Sequence, residues 1–200
     1  GQSQHIKELY FAGGEPLLIP EHYAILQFMV DNNYAKDICI RYNSNGLELP
    51  DKLFVLWQHF KEITFNFSID AYGDRNDYIR YPSKWADIQK NLHKLDSSLN
   101  NVIINIAAAV QLLNVAYIHE LAEWKMDQGF SKVNVLPFGG GLINTHLVYF
   151  PSYLNVRTLP RELKEFAKGN IESFIQRQKF NTDWNNHAMG KPRWDGIVNY

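Results

Sequence analysis

A single cysteine, Cys39, leaves no partner for an internal disulfide and no set of thiolates for a cysteine-rich metal site. Charge of one sign is also scarce: 20 basic against 21 acidic residues give a net charge of −1, and no basic stripe stands out. Binding to nucleic acid through bulk electrostatics is therefore not favoured. No apolar run reaches bilayer length, so no membrane span is expected. The first residues, "GQSQHIKELY", lack the charged and apolar regions of a secretory signal, and a cytoplasmic location is the expectation. The usual hydrolase signatures are missing too. His5, His22, His59, His93, His119, His146 and His187 include no pair at the helical spacing of metal ligands. There is no G-x-S-x-G nucleophile elbow and no G-x-x-x-x-G-K-[ST] phosphate loop.

What is present is an alternation of strand and helix patterns. The 200 residues are 46% apolar, a profile that suits one globular domain with a real core. "EITFNFSID" (Glu62–Asp70) alternates strictly, with Ile63, Phe65, Phe67 and Ile69 on one face and Thr64, Asn66, Ser68 and Asp70 on the other. "IKELYFA" (Ile6–Ala12), "DICIRYN" (Asp37–Asn43), "NVIINIAAAV" (Asn101–Val110) and "KVNVLPF" (Lys132–Phe138) also read as strands. Between them lie helical patterns at Pro20–Asn33, Pro50–Phe60, Pro82–Leu95 and Val115–Phe130. Pro20 and Pro50 stand where proline opens a helix, and Gly129 stands where glycine closes one. Five strands alternating with four helices predict a parallel sheet built from βα units. Residues 1–138 are expected to form that core. Residues 139–200 read as an extension on the same domain: loop-rich from Gly139 to Leu159, then one helix over 160–178 broken near Gly169.

Ligands of parallel βα architectures bind at the carboxyl ends of the strands, so the residues after each strand carry the information. Here these are "GGEP" (Gly13–Pro16), "NSNG" (Asn43–Gly46), "SIDAYGDRNDYIR" (Ser68–Arg80), "QLLN" (Gln111–Asn114) and "PFGGG" (Pro137–Gly141). Gly13 and Gly14 allow close approach to the backbone. Glu15 adds a negative charge beside exposed carbonyls, a combination that suits a primary ammonium group with its three donors. The same tetrapeptide also serves as a tight strand-to-helix turn with a solvated glutamate.

Three of these segments, in this order and each after a strand, resemble the radical S-adenosylmethionine (SAM) superfamily. "GGEP" resembles its methionine-binding motif after the second barrel strand. "NSNG" is similar to its Thr-Asn-Gly element, with Ser44 in place of threonine. "SIDAYGDRNDYIR" resembles the Ser-Ile/Leu-Asp-Gly element of the branch with SPASM or twitch extensions, and "LNVAYIHELAEWKMDQGF" fits that branch's next βα unit. The resemblance spans Leu9 to Phe138. It implies a partial βα barrel that lacks its first strand. It implies that Gly13, Gly14, Glu15 and Pro16 hold the methionine end of SAM, that Ser68 and Asp70 lie near the ribose, and that Asn43 and Ser44 line the pocket. Arg80 is carried over as a partner for the methionine carboxylate, with a surface ion pair as its competing role.

The sequence departs from that family in one respect. Such enzymes bind a four-iron cluster through C-x3-C-x2-C, and thiolates are what such clusters require. No such motif occurs here, and residues 139–200 lack the cysteines of an auxiliary cluster. Cys39, between Ile38 and Ile40, is expected to be a buried core residue that binds no metal. Two readings follow from the resemblance. The chain is either a piece of a radical SAM enzyme, inactive alone, or a cysteine-free relative that binds SAM, a peptide or a protein without redox chemistry. A third reading is an unrelated βα fragment in which "GGEP" is accidental. Peptide modification is the substrate class that the SPASM/twitch-like branch implies. The unpaired edge of an incomplete barrel, Ile6–Ala12, invites self-association.

Overall fold

The computed structural model describes residues 5–133 and 142–178. It is an α/β structure with a parallel sheet of five strands: β1 (Glu8–Phe11), β2 (Cys39–Ser44), β3 (Glu62–Ser68), β4 (Val102–Val110) and β5 (Asn144–Leu147). The strands follow one another in the sheet in chain order, with β1 at one end. The helices are α1 (Pro20–Asp31), α2 (Asp51–Trp57), α3 (Asp74–Ile79), α4 (Trp85–Asp96), α5 (Ile118–Asp127) and α6 (Arg161–Arg177). Among the described residues no helix is long and apolar enough to cross a membrane.

The chain divides into two compact units. The first comprises residues up to Ser68, Ala86–Asn105 and Ser131–Val133; the second comprises Ile69–Trp85, Ile106–Phe130 and the remainder. In the first unit the period of two decides which face is covered. Ile40 and Tyr42 of β2, and Ile63, Phe65 and Phe67 of β3, are buried, whereas Arg41, Asn43, Thr64, Asn66 and Ser68 on the other face keep solvent contact. Helices α1 and α2 both pack on the Tyr42 face. His22 of α1 meets the Tyr42 ring at 5.4 Å, and so does Trp57 of α2. The crossovers from β1 to β2 and from β2 to β3 thus lie on one face of the sheet in this unit.

Burying polar groups in that core requires partners. The Tyr42 hydroxyl accepts from Trp57 Nε1 at 3.0 Å and lies 2.8 Å from His22 Nε2, to which it can donate. Burial, reinforced by the nearby positive charge of Lys52, lowers the His22 pKa to about 4. The imidazole is therefore neutral at ordinary pH, which suits it to accept the phenolic proton.

The second unit is stitched together by long polar and aromatic side chains. Trp85 and Trp124 meet edge to face at 4.7 Å, with Tyr72 against both. Arg75 pairs with Glu120 at 2.6 Å and lies 3.8 Å over the Tyr117 ring. Asn170 of α6 donates to Ala116 O at 2.9 Å.

Several expectations need correction. Cys39 is not a core residue: it is half-buried, because the alternation that buries Ile38 and Ile40 turns Cys39 to the open face. Helix α6 runs unbroken through Gly169. The segment expected to be loop after Gly139 contains β5, which pairs with Ala107–Val110. The stretch after β3 contains a short helix, α3, entered through Gly73 at φ 62°. Of the strand expected at Lys132–Phe138, Val133 forms an isolated parallel bridge with Ile104. Residues 134–138 of that strand, the glycines Gly139–Gly141 and the tail from residue 179 lie outside the described residues.

Candidate functional site

In the first unit the turns after β1 and β2 are joined through one carboxylate. β1 ends at Phe11, and the backbone then passes through Gly13 at φ 85° and Gly14 at φ 58°. Such dihedrals favour glycine. A Cβ on either glycine would meet no atom within 4 Å, so this stretch of backbone is open to an approaching group. Glu15 then caps a 3-10 turn over Pro16–Leu18, accepting from Leu17 N at 3.4 Å, and Pro16 is buried beneath it.

The same carboxylate reaches across to the end of β2. Ser44 Oγ donates to Glu15 Oε1 at 2.6 Å, and Asn45 N donates to Oε2 at 2.9 Å. These lengths are those of charge-assisted hydrogen bonds. Ser44 Oγ in turn accepts from Gly46 N at 3.0 Å. Asn91 of α4 holds the turn from its other side, donating to Gly46 O and Leu47 O, both at 2.8 Å. Gly46 is at φ 67° directly over the buried Phe67 ring. Glu15 is half-buried and hydrogen-bonded: it clamps "GGEP" to "NSNG" at the carboxyl ends of two adjacent parallel strands. A carboxylate has about four acceptor positions, and three donors occupy this one. One acceptor position is left over.

Asn43 does not join this cluster. Its side chain lies on the open sheet face, donating to Tyr10 Oη at 2.7 Å and accepting from Asn66 Nδ2 at 2.8 Å. Ser68 ends β3 on the same face as Asn66 and is half-buried.

Asp70 and Arg80 belong to the second unit and form an ion pair. Arg80 Nε lies 2.8 Å from Asp70 Oδ2, while Asp70 Oδ1 accepts from Ala109 N at 2.7 Å. The Asp70 backbone is pinned as well: its N–H donates to Asn76 Oδ1 at 3.0 Å, and its carbonyl accepts from Asn114 Nδ2 at 2.7 Å. Asp70 is almost fully buried. Its geometry secures the exit from β3, and Arg80 takes the ion-pair role rather than standing open. Asn45, Asn76, Asn91 and Asn114 carry much of this architecture, and none was a sequence candidate by name. Asn45, Asn76 and Asn114 lie in the post-strand segments "NSNG", "SIDAYGDRNDYIR" and "QLLN", whereas Asn91, on α4, had no such signal.

The donor set settles whether the chain could hold an iron–sulfur cluster by itself. It offers one thiol, and no group of three or more His, Cys, Asp or Glu side chains converges among the described residues. These residues do not fit a four-iron cluster. No family model matches the chain, and no curated protein matches it either.

Proposed function

We propose that this chain is the SAM-side portion of a radical SAM enzyme, a partial βα barrel whose cluster-bearing first strand would pair with the free edge of β1. The observation that carries this reading is the Glu15 clamp. It joins the glycine-rich turn after one strand to the Ser-Asn-Gly turn after the next, and leaves the two glycines open. In this reading Gly13, Gly14 and Glu15 face the methionine ammonium of SAM, with Pro16 and Ser44 fixing their geometry. When bound, SAM supplies the adenosyl group for radical chemistry, and a peptide is the substrate class we favour. The chain alone has no electron source for that chemistry. A cysteine-free binding module for SAM or a peptide is the second reading, favoured by the acceptor position that Glu15 keeps.

Affinity separates the two. A charge-assisted hydrogen bond from ammonium to Glu15 contributes roughly 1.5–3 kcal/mol. Losing translational and rotational freedom costs roughly 4–15 kcal/mol. Without a cluster to share the ligand's amine and carboxylate, the expected dissociation constant for SAM is weaker than about 100 μM. Isothermal titration of the chain with SAM measures it. Sub-micromolar binding that disappears in Glu15→Gln, with that variant still folded, would favour the binding module instead.

A further inference from the structure

His22 of α1 is 3% exposed and takes no part in the Glu15 hydrogen bonds. Its surroundings fix where its proton sits. Trp57 Nε1 can only donate, so Tyr42 Oη accepts there, at 3.0 Å. The phenolic proton is then left for His22 Nε2, 2.8 Å away, which must be bare to accept it. The ring proton therefore sits on Nδ1, an atom with no hydrogen-bond partner among the described residues. The other tautomer is worse. Its Nε2–H would donate to Tyr42, leaving the phenolic proton without an acceptor and Nδ1 bare, two buried failures in place of one.

A second proton on this ring finds no acceptor and no counter-charge. Nε2–H would displace the phenolic proton of Tyr42, a fully buried residue, and that proton and Nδ1–H would both stay unpaired. β1 presents the Phe11 ring, edge to face at 4.8 Å, and β2 presents Tyr42. On α1 itself the neighbour is Tyr23, at 4.9 Å. From α2 come Trp57, behind Tyr42, and Lys52, whose ammonium lies 3.5 Å from the centre of the Tyr23 ring and repels a positive imidazole. The carboxylates of Glu15 and Glu48 act on Tyr23 instead. Protonation thus favours any state in which α1 lifts and water reaches the ring. α1 also starts directly after the turn that Glu15 caps. Tyr23 Oη donates to Leu17 O at 2.7 Å, and His22 N donates to Ile19 O at 3.1 Å. Whatever loosens this end of α1 loosens the Glu15 turn.

We propose that His22 is a proton-operated latch: taking up a proton ejects the imidazole from its seat on Tyr42 and loosens α1 together with the Glu15 turn. The assignment does not depend on SAM binding and is tested without SAM. Burial and Lys52 hold the folded-state pKa at about 4, below the ordinary 6.5. The latch therefore contributes in full above pH 6.5, weakens as the pH falls toward 4, and changes no further below that. Urea unfolding is compared for the wild type and His22→Gln, whose carbonyl can still accept from Tyr42 but does not titrate. Between pH 6.5 and 4.5 the wild-type folding equilibrium is expected to fall about 40-fold more than that of the variant. Amide hydrogen exchange over the same range, corrected for the intrinsic rate, locates the loosening: α1 and the Glu15–Leu18 turn should lose protection ahead of β3. If His22→Gln does not fold, the wild type carries the test through imidazole NMR. The Nδ1–H tautomer is expected, with a titration well below the ordinary 6.5. Parallel pH curves for wild type and folded variant, protection lost uniformly, an Nε2–H tautomer, or an imidazole titrating near 6.5 in the folded protein would overturn the proposal.

Discussion

Replacing Glu15 with alanine is expected to destabilise the chain by about 3 kcal/mol in urea unfolding, with no ligand present. The carboxylate accepts from Ser44 Oγ, Asn45 N and Leu17 N. Ser44 is nearly inaccessible to water, so its hydroxyl cannot replace the lost partner with solvent. Hydrogen bonds to a charged acceptor contribute roughly 1.5–3 kcal/mol each, and a buried donor left unpaired costs a comparable amount. The three share one acceptor and do not add in full. Glu15→Gln should be milder, about 1–2 kcal/mol. Its amide keeps one oxygen for Ser44 or Asn45 but turns an NH2 toward the other, where a donor already points. A loss below about 0.5 kcal/mol for both variants would contradict the clamp and return Glu15 to the status of a solvated turn residue.

Gly46→Ala should be damaging too, with an expected loss of about 2–5 kcal/mol. Two costs combine. The residue sits at φ 67°, a conformation that costs a side-chain-bearing residue roughly 1–2 kcal/mol. The added Cβ would also lie 1.9 Å from Phe67 Cε1, with further ring atoms at 2.4 and 2.7 Å. Phe67 is fully buried, so its ring has no empty space to retreat into, and overpacking of this kind costs typically about 1–3 kcal/mol. Gly13→Ala isolates the first cost. It also has positive φ, at 85°, but its Cβ would meet nothing within 4 Å. About 1–2 kcal/mol is expected there. Equal losses at the two glycines would show that the Phe67 contact yields freely.

These contrasts explain what could be read from the sequence. The alternation of "EITFNFSID" identified β3 and its buried face, because a strand covered on one side writes its period of two directly into the residues. Pro20 opens α1 as expected, since a proline at the first turn loses no helical hydrogen bond. β5 was illegible: "NTHL" has a single aliphatic residue in four, and only its pairing with Ala107–Val110 makes it a strand. α3 spans six residues, too few for a periodic signal. The six-residue β2 misled in the opposite way. Cys39 between two isoleucines looks like core until the register assigns it to the other face.

The site divides along the same line. Glu15 and Ser44 were visible as residue types after strands, whereas their mutual hydrogen bond depends on the register of β1 and β2. Asn45 acts through its backbone N–H, which no side-chain pattern reports. The His22–Tyr42 bond was invisible for the same reason: its members lie 20 residues apart, and only the packing of α1 on β2 brings them together.

We propose that the Glu15 clamp belongs to a radical SAM enzyme whose cluster ligands lie outside this sequence, and reading the coding sequence upstream of Gly1 tests that proposal. An in-frame C-x3-C-x2-C motif a few dozen codons before Gly13 is expected. An initiator methionine with no such motif between it and Gly13 would rule the proposal out.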